Sequence, residues 1–109
     1  MLARLWTTGL LPERVSVYES FANDISLPMF RQQDGFLGCV MVRSEHEGLV
    51  LTFWRDHAAI HALETSPSYC NTVKRLQEAD VLAGSRRLAV YQLHLIDIEG
   101  LVTHEHRLP

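Results

Sequence analysis

Residues 36–54, FLGCVMVRSEHEGLVLTFW, decide the fold, because they place two apolar segments on either side of a short polar turn. The apolar segments are residues 36–43 and 49–54, and the turn between them, residues 44–48, contains a glycine. Two strand-length segments joined in this way predict a β-hairpin. Neither segment alternates between apolar and polar residues, and strands without that alternation are typically buried on both faces.

The N-terminal flank of the hairpin predicts one strand and one helix. Residues 2–8 are rich in bulky, β-favouring side chains, and they stop at Gly9. Pro12 suits the first turn of a helix, where its missing N–H costs nothing. Apolar residues then recur at helical spacing, so the pattern predicts an amphipathic helix over residues 12–27.

The C-terminal flank predicts two helical segments and a last strand. Asp56 is a capping residue for a helix that begins at His57. Ser66, with a proline after it, predicts the start of a second segment, which is expected to end near Gly84. The apolar run over residues 88–96 predicts the last strand.

The resulting order, β-α-β-β-α-β, predicts an α+β protein with the ferredoxin-like arrangement: a four-stranded antiparallel sheet with both helices on one face. The other face is then bare, although its strands are apolar. A chain of 109 residues has nothing left to cover it, so we expect a homodimer through the open sheet face, which makes a dimeric α+β barrel. Residues 1–98 are predicted to form this domain, and residues 99–109 a C-terminal tail.

Composition argues against several classes of protein. The formal net charge of -3 gives no electrostatic attraction to nucleic acid. Every apolar run in the sequence is far shorter than the ~20 residues that cross a bilayer, and the first residues lack the features of a signal peptide. We therefore expect no nucleic-acid or membrane partner. We expect a cytoplasmic protein in which Cys39 and Cys70 are reduced thiols.

Three short motifs and one single residue resemble the antibiotic biosynthesis monooxygenase family: DGFLG at residues 34–38, LTFWRD at 51–56, SPSY at 66–69, and Ala58. The resemblance covers about residues 1–96 and implies the dimeric α+β barrel fold. It also implies a ligand pocket inside each protomer, between the sheet and the helices. Members of the family include quinone-forming monooxygenases, heme-degrading enzymes and isomerases, so the resemblance implies the fold more closely than the reaction.

The resemblance carries over to individual residues only in part. Trp54 matches the tryptophan that cofactor-independent anthrone oxygenases of the family use at the end of the third strand. Their asparagine four residues earlier and their tyrosine six residues later are replaced by Val50 and Ile60, which cannot make the same hydrogen bonds. The functional positions of the heme-degrading members fall at or near Arg4, Leu63 and Val73. Because none of these supplies an imidazole for heme iron, no heme is expected.

Trp54, His57 and His61 are the candidate catalytic residues. The indole N–H of Trp54 would contact a substrate oxygen, and one histidine would act as the base, since the pKa of imidazole lies close to neutral pH. The two histidines share a helix face at a spacing that also suits metal ligation. No third ligand is apparent, so neither a metal nor another cofactor is expected. His104 and His106 belong to the tail, which we expect to be solvated.

Arg4, Trp6, Tyr18, Phe21 and Tyr69 are the candidate substrate-binding residues. Arg4 and Trp6 share one face of the first strand, but their spacing does not tell whether helices or a second copy cover that face. In a pocket, Arg4 would stabilise an enolate or a carboxylate, whereas in an interface it would form an ion pair. The three other aromatic residues either belong to the core or line a cavity for a small aromatic ligand.

The residues and the resemblance together predict a cofactor-independent monooxygenase acting on an aromatic or polycyclic phenol or an anthrone-like substrate. A base would remove a proton, and the resulting carbanion would reduce O₂ directly. In this interpretation, Trp54→Phe is expected to lose substrate-dependent O₂ uptake. The alternative is a non-catalytic small-ligand-binding or accessory dimeric barrel protein, which the apolar Val50 and Ile60 favour. A titratable side chain within hydrogen-bond reach of Trp54 would favour catalysis over binding.

Overall fold

The computed structural model describes residues 1–100 and confirms the predicted ferredoxin-like architecture. Its strands are β1 (Leu2–Leu10), β2 (Phe36–Arg43), β3 (Glu47–Trp54) and β4 (Leu82–Gln92). They form one sheet in the order β2-β3-β1-β4, and every neighbouring pair is antiparallel. The predicted hairpin is the pair β2 and β3, of which β3 pairs with β1 and β2 forms one edge of the sheet.

Two helical stretches connect the strands and pack on one face of the sheet. The first follows β1 as a 3-10 turn at Pro12–Arg14, α1 (Val15–Phe21), a π-helical turn at Ala22–Ser26 and α2 (Leu27–Arg31). The second consists of α3 (His57–Thr65) and α4 (Pro67–Glu78). Within residues 1–100, no helix is long and apolar enough to cross a membrane.

Local signals explain where these helices begin and end. Asp56 and Ser66 each accept a hydrogen bond from the backbone N–H three residues later, at 2.9 Å and 3.4 Å, as expected of capping residues. The first stretch continues past residue 27 because Pro28 lies in the first turn of α2, where a proline is tolerated. α4 ends at Glu78, before the predicted end near residue 84, because Asp80 has a φ of 57° and turns the chain.

The last strand begins earlier than predicted. β4 covers Leu82–Gln92, not residues 88–96, because Leu82 pairs with Leu10 at the end of β1. The hydrophobic pattern does not reveal the beginning of β4, because most side chains of this strand are exposed. Residues 101–109 lie outside the described residues, and with them His104, His106 and most of the predicted tail.

The even-numbered residues of β1 and β3 face the helices and form the main core. Trp54 at the end of β3 and Leu63 in α3 are both 0% exposed. The hydrophobic effect of burying two such large side chains holds α3 against the sheet. The same core cluster contains Leu2, Met29, Phe30, Val50, Ala59 and Ile60.

The opposite side of the sheet, which we call the open face, consists of Leu5, Val40, Val42, Leu49 and Leu51. Strand pairing places Leu5, Leu51 and Val40 in one row across three strands, and Leu49 and Val42 in the next row. In one chain Val42 is 54% exposed and Val40 38%. The chain's own helices therefore bury only one face of these strands. The other face, which was also predicted to be buried, is exposed in a single chain.

Candidate functional site

A cavity lies between the helices and the sheet, on the face to which Arg4 and Trp6 point. The space between the protein atoms amounts to about 510 Å³, part of which is open to solvent. The volume that the centre of a water molecule can occupy is about 40 Å³. The cavity is therefore narrow and mostly apolar. The five predicted ligand-binding residues all line it: Arg4, Trp6, Tyr18, Phe21 and Tyr69.

Arg4 provides the positive charge of the cavity. Its residue exposure is 3%, and its Nε donates a hydrogen bond to Oε2 of Glu64 at 3.2 Å. Its Nη2 donates to the hydroxyl of Tyr69 at 2.9 Å, and the guanidinium carbon lies 5.2 Å from the centre of the Tyr69 ring. A buried charge needs such partners, and these contacts hold the guanidinium group in one orientation.

The corner between α3 and α4 brings the partners of Arg4 together. Glu64 is near the end of α3, and Tyr69 is in the first turn of α4, where its backbone N–H is bound by the cap residue Ser66. The side chain of Glu64 is 37% exposed, whereas that of Arg4 is 4% exposed. The carboxylate thus retains contact with water, and the guanidinium group reaches from the sheet into the apolar interior.

Part of the Arg4 guanidinium group has no protein partner among the described residues. An arginine has five N–H donors, and only Nε and Nη2 make hydrogen bonds here. No buried side-chain nitrogen or oxygen in residues 1–100 lacks a partner, so Nη1 is accessible to solvent. Arg4 lines the cavity, so the lining includes a positively charged residue whose Nη1 is bound by no described residue.

Tyr18 forms another polar part of the cavity lining. Burial, with a smaller effect from the negative charge of Glu19, raises the pKa of Tyr18 from 10.0 to about 12. Its hydroxyl lies against Gly48 in β3, since a Cβ atom at that glycine would be 2.8 Å from the Tyr18 oxygen. Tyr18 is therefore a neutral phenol at physiological pH, able to donate or accept a hydrogen bond but not to act as a base.

The raised pKa of Tyr18 predicts a loss of stability at alkaline pH. Below pH 10 both the folded and the unfolded chain keep the phenol neutral, and its pKa has no effect. Between pH 10 and 12 mainly the unfolded chain loses this proton, so the free energy of unfolding falls by up to about 1.4 kcal/mol per pH unit. Urea unfolding of wild type and Tyr18→Phe across this range isolates the effect. A constant difference between the two proteins would contradict it.

Trp54 does not line the cavity. Its side chain is fully buried, and its indole N–H donates to the hydroxyl of Thr52 at 2.8 Å, so the donor expected to contact a substrate is already bound. The Trp54 ring packs edge-on against Phe36 and Phe30, with ring centres 5.4 Å and 6.4 Å away. The structure thus places Trp54 in the core cluster next to the cavity, where it supports the sheet.

His57 and His61 also lie away from the cavity. Both are exposed on α3, whose buried face is formed by Ala59, Ile60 and Leu63. The helix turns the two histidines to solvent because it buries the apolar residues between and after them. Within residues 1–100, no group of three potential metal ligands comes together. The structure therefore does not bring the three predicted catalytic residues together with the predicted ligand-binding residues.

Sequence reasoning missed Glu64 and the π-helical turn. A buried arginine on an apolar strand face requires an acidic partner, but the sequence contains 13 acidic residues and no spacing that selects one. The π-helical turn contributes its first and last residues, Ala22 and Ser26, to the cavity wall. Such turns are frequent at functional sites, and the helical periodicity of the sequence gives no sign of the wider turn.

Several solved structures have the same fold. A Deinococcus radiodurans protein assigned to the antibiotic biosynthesis monooxygenases has a TM-score of 0.72 at 19% identity, over 92% of this chain and 100% of that chain. A Caulobacter crescentus protein assigned in the same way has a TM-score of 0.73 at 14% identity, over 86% and 90%. SnoaB, a cofactor-independent oxygenase from Streptomyces nogalater, has a TM-score of 0.65 at 15% identity, over 87% and 94%.

The comparisons support the fold and not a particular reaction. Many structures of this fold are called antibiotic biosynthesis monooxygenases, as the sequence resemblance implied. The identities of the three described above are 14% to 19%, and one fold supports many activities. No protein-family model matches the chain, and no curated protein matches it significantly. The chemistry must therefore be argued from the cavity itself.

Proposed function

We propose that this chain is a cofactor-independent monooxygenase that binds an aromatic phenol or an anthrone-like compound as its oxyanion. The observation that carries the proposal is Arg4, a buried cation that lines an apolar cavity and whose Nη1 has no partner among the described residues. A positive charge in such surroundings favours the ionised form of a bound phenol or enol, because it lowers the pKa of that group. It also stabilises negative charge that develops during a reaction.

The proposed reaction draws its electrons from the substrate. The bound anion passes one electron to O₂, the two radicals combine at carbon to form a peroxide, and loss of water leaves a carbonyl group. Overall a CH₂ group and O₂ become C=O and H₂O, so atoms and electrons balance. The lining residues include no histidine, lysine or carboxylate, so the first proton passes to water at the open side of the cavity.

The size of the cavity favours small aromatic substrates. The volume that the centre of a water molecule can occupy is about 40 Å³, whereas cavities for drug-sized ligands have volumes of roughly 300 Å³ or more. Two flexible side chains, Met29 and Met41, belong to the lining, and methionine adapts readily to the shape of a neighbour. A cavity that takes up benzene measures about 150 Å³, so even a single ring requires this cavity to widen, and a larger anthrone requires both methionines to move further.

Oxygen uptake tests this proposal. We expect purified protein to consume O₂ with anthrone or 1-naphthol at a rate that saturates with substrate and exceeds the rate with heat-denatured protein. Mass spectrometry of the product is expected to show one incorporated oxygen atom from ¹⁸O₂. Uptake that equals the denatured control for both compounds would contradict the proposed activity.

The second candidate function is non-catalytic binding of a small aromatic anion. The lack of an imidazole or carboxylate in the cavity lining favours it, because general-base catalysis needs such a group near the substrate. Calorimetry distinguishes the two candidates when combined with oxygen uptake. Saturable binding of 1-naphthol without O₂ consumption would support the binding protein, and binding with consumption supports the monooxygenase.

We further propose that the chain works as a cytoplasmic homodimer through the open face. This face exposes Val40 and Val42 and leaves Leu5, Leu49 and Leu51 partly exposed, and contiguous apolar patches of this kind are typical of protein interfaces. The segment after β4 adds further exposed apolar residues, with Leu95 72%, Ile96 49% and Ile98 48% exposed. A second copy would remove both groups of side chains from water.

Analytical ultracentrifugation tests the dimer. We expect wild type to sediment with twice the mass of the chain at micromolar concentration, and Val42→Glu with the mass of one chain, because it places an unpaired charge in the interface. Val17→Glu is the matched control, since Val17 is 37% exposed on α1, away from the open face. A wild-type monomer at this concentration would contradict the dimer.

A further inference from the structure

The hydrogen bonds of Arg4 restrict the kind of oxyanion that the cavity can take. Glu64 occupies the Nε–H, and Tyr69 accepts one N–H of Nη2. Three of the five guanidinium N–H groups remain, two on Nη1 and one on Nη2. The free donors are thus on two neighbouring nitrogens, an arrangement that matches two acceptor oxygens and not one.

Tyr69 adds a donor beside the guanidinium group. Its hydroxyl oxygen accepts the hydrogen bond from Nη2 at 2.9 Å, so the hydrogen of that hydroxyl remains available for another acceptor. No described residue accepts it, and Tyr69 lines the cavity. A ligand at this end of the cavity therefore meets the free N–H groups and an O–H group side by side.

Glu64 restricts the charge of the ligand. Its carboxylate is bound to the same guanidinium group at 3.2 Å, so Arg4 already carries one negative partner. A ligand with one negative charge places Arg4 between two anions, each of which can be hydrogen-bonded. A second negative charge on the ligand would be repelled by Glu64 at close range in an apolar site.

We propose that the ligand is a planar aromatic monoanion with two neighbouring oxygens, either a hydroxyl beside a carbonyl or a carboxylate. This inference rests on the proposed binding of an oxyanion at Arg4. The two oxygens would accept from Nη1, Nη2 and the Tyr69 hydroxyl, and the ring would lie against the apolar lining. A phenol with a single oxygen leaves at least one of these donors without a partner, and a buried donor without a partner weakens binding.

Calorimetry with three single-ring probes tests the inference, at an alkaline pH where all three are anions and Tyr18 is still neutral. Tropolone has a hydroxyl beside a carbonyl, benzoate has a carboxylate, and 4-cyanophenol has one ionised oxygen. We expect tropolone or benzoate to bind at least about tenfold more tightly than 4-cyanophenol, as one additional charge-assisted hydrogen bond provides. The tighter of the two identifies the source of the paired oxygens.

Two variants test whether Arg4 and Tyr69 cause this preference. Arg4→Lys retains the charge but lacks the fork of N–H groups, so the preference is expected to fall below about threefold. Tyr69→Phe removes only the hydroxyl from a half-buried ring and is expected to reduce the preference as well, which keeps the test valid if Arg4→Lys fails to fold.

The outcomes separate this inference from the proposed function. Equal affinity for all three probes, or tighter binding of 4-cyanophenol, would overturn the two-oxygen inference and leave oxyanion binding at Arg4 intact. An unchanged preference in both variants would also overturn it. Failure of all three probes to bind would overturn the inference together with the proposed binding function.

Discussion

Arg4→Met is expected to lower the rate of O₂ uptake with 1-naphthol or anthrone at least about 100-fold, because a single donor to a developing oxyanion contributes 10²–10³ in rate. Methionine has a similar length and no charge, so it fills the same space in the apolar cavity without stabilising an anion. The values of kcat/KM for wild type and variant, measured with an oxygen electrode, give the loss directly.

The fold is expected to survive Arg4→Met. Its charged partner Glu64 is 37% exposed at the side chain, so this carboxylate can be solvated by water when the guanidinium group is absent. Arg55→Met is the matched control, because Arg55 also pairs with carboxylates, Asp34 and Asp56, but its side chain is 55% exposed at the surface. Equal loss in both variants, or uptake retained in Arg4→Met, would contradict the role of Arg4.

Trp54→Ala is expected to lower the free energy of unfolding by about 3–5 kcal/mol, the usual cost of removing a large aromatic side chain from a core. Trp54 is 0% exposed and packs against Phe30 and Phe36. The substitution also leaves the hydroxyl of Thr52 without its indole donor. In thermal unfolding this loss corresponds to a fall in Tm of at least roughly 12 °C for a domain of this size.

Trp54→Phe separates the structural role of Trp54 from the predicted catalytic one. Phenylalanine retains most of the ring contacts, so the expected loss of stability is smaller than in Trp54→Ala. Because Trp54 does not line the cavity, we now expect Trp54→Phe to retain its O₂ uptake, in contrast to the sequence-based expectation. Loss of uptake in a folded Trp54→Phe protein would restore the catalytic interpretation of this residue.

The sequence predicted the strands best where apolar runs were bounded by turn residues. β2 has the predicted bounds because a glycine-containing turn precedes it and a polar turn follows it. β4 was placed too late because Gly84, Ser85, Arg86 and Arg87 interrupt its apolar pattern, and its pairing with β1 depends on a contact between Leu82 and Leu10 that is distant in sequence. The hydrophobic pattern thus locates strands whose apolar run is continuous and fails where polar residues interrupt the strand.

Sequence reasoning likewise brought some of the candidate site residues to the cavity and not others. Arg4 and Trp6 share a strand face by parity, so one structural fact, that helices cover this face, brings both to the cavity. Trp54 was chosen from the family resemblance, and His57 and His61 from their residue type and their shared helix face. Neither type nor position reveals that Thr52 binds the indole N–H or that α3 turns its histidines to solvent. Tertiary contacts decide both.

A crystal structure of the protein with a bound aromatic anion tests the central claim most directly, with benzoate and 1-naphthol as the compounds for soaking. We predict that the ligand lies between the sheet and the helices, with an oxygen within hydrogen-bond distance of Nη1 of Arg4 and the ring against Met29 and Phe21. A ligand bound elsewhere, or a cavity that stays closed because Nη1 turns to a protein acceptor, would contradict the account.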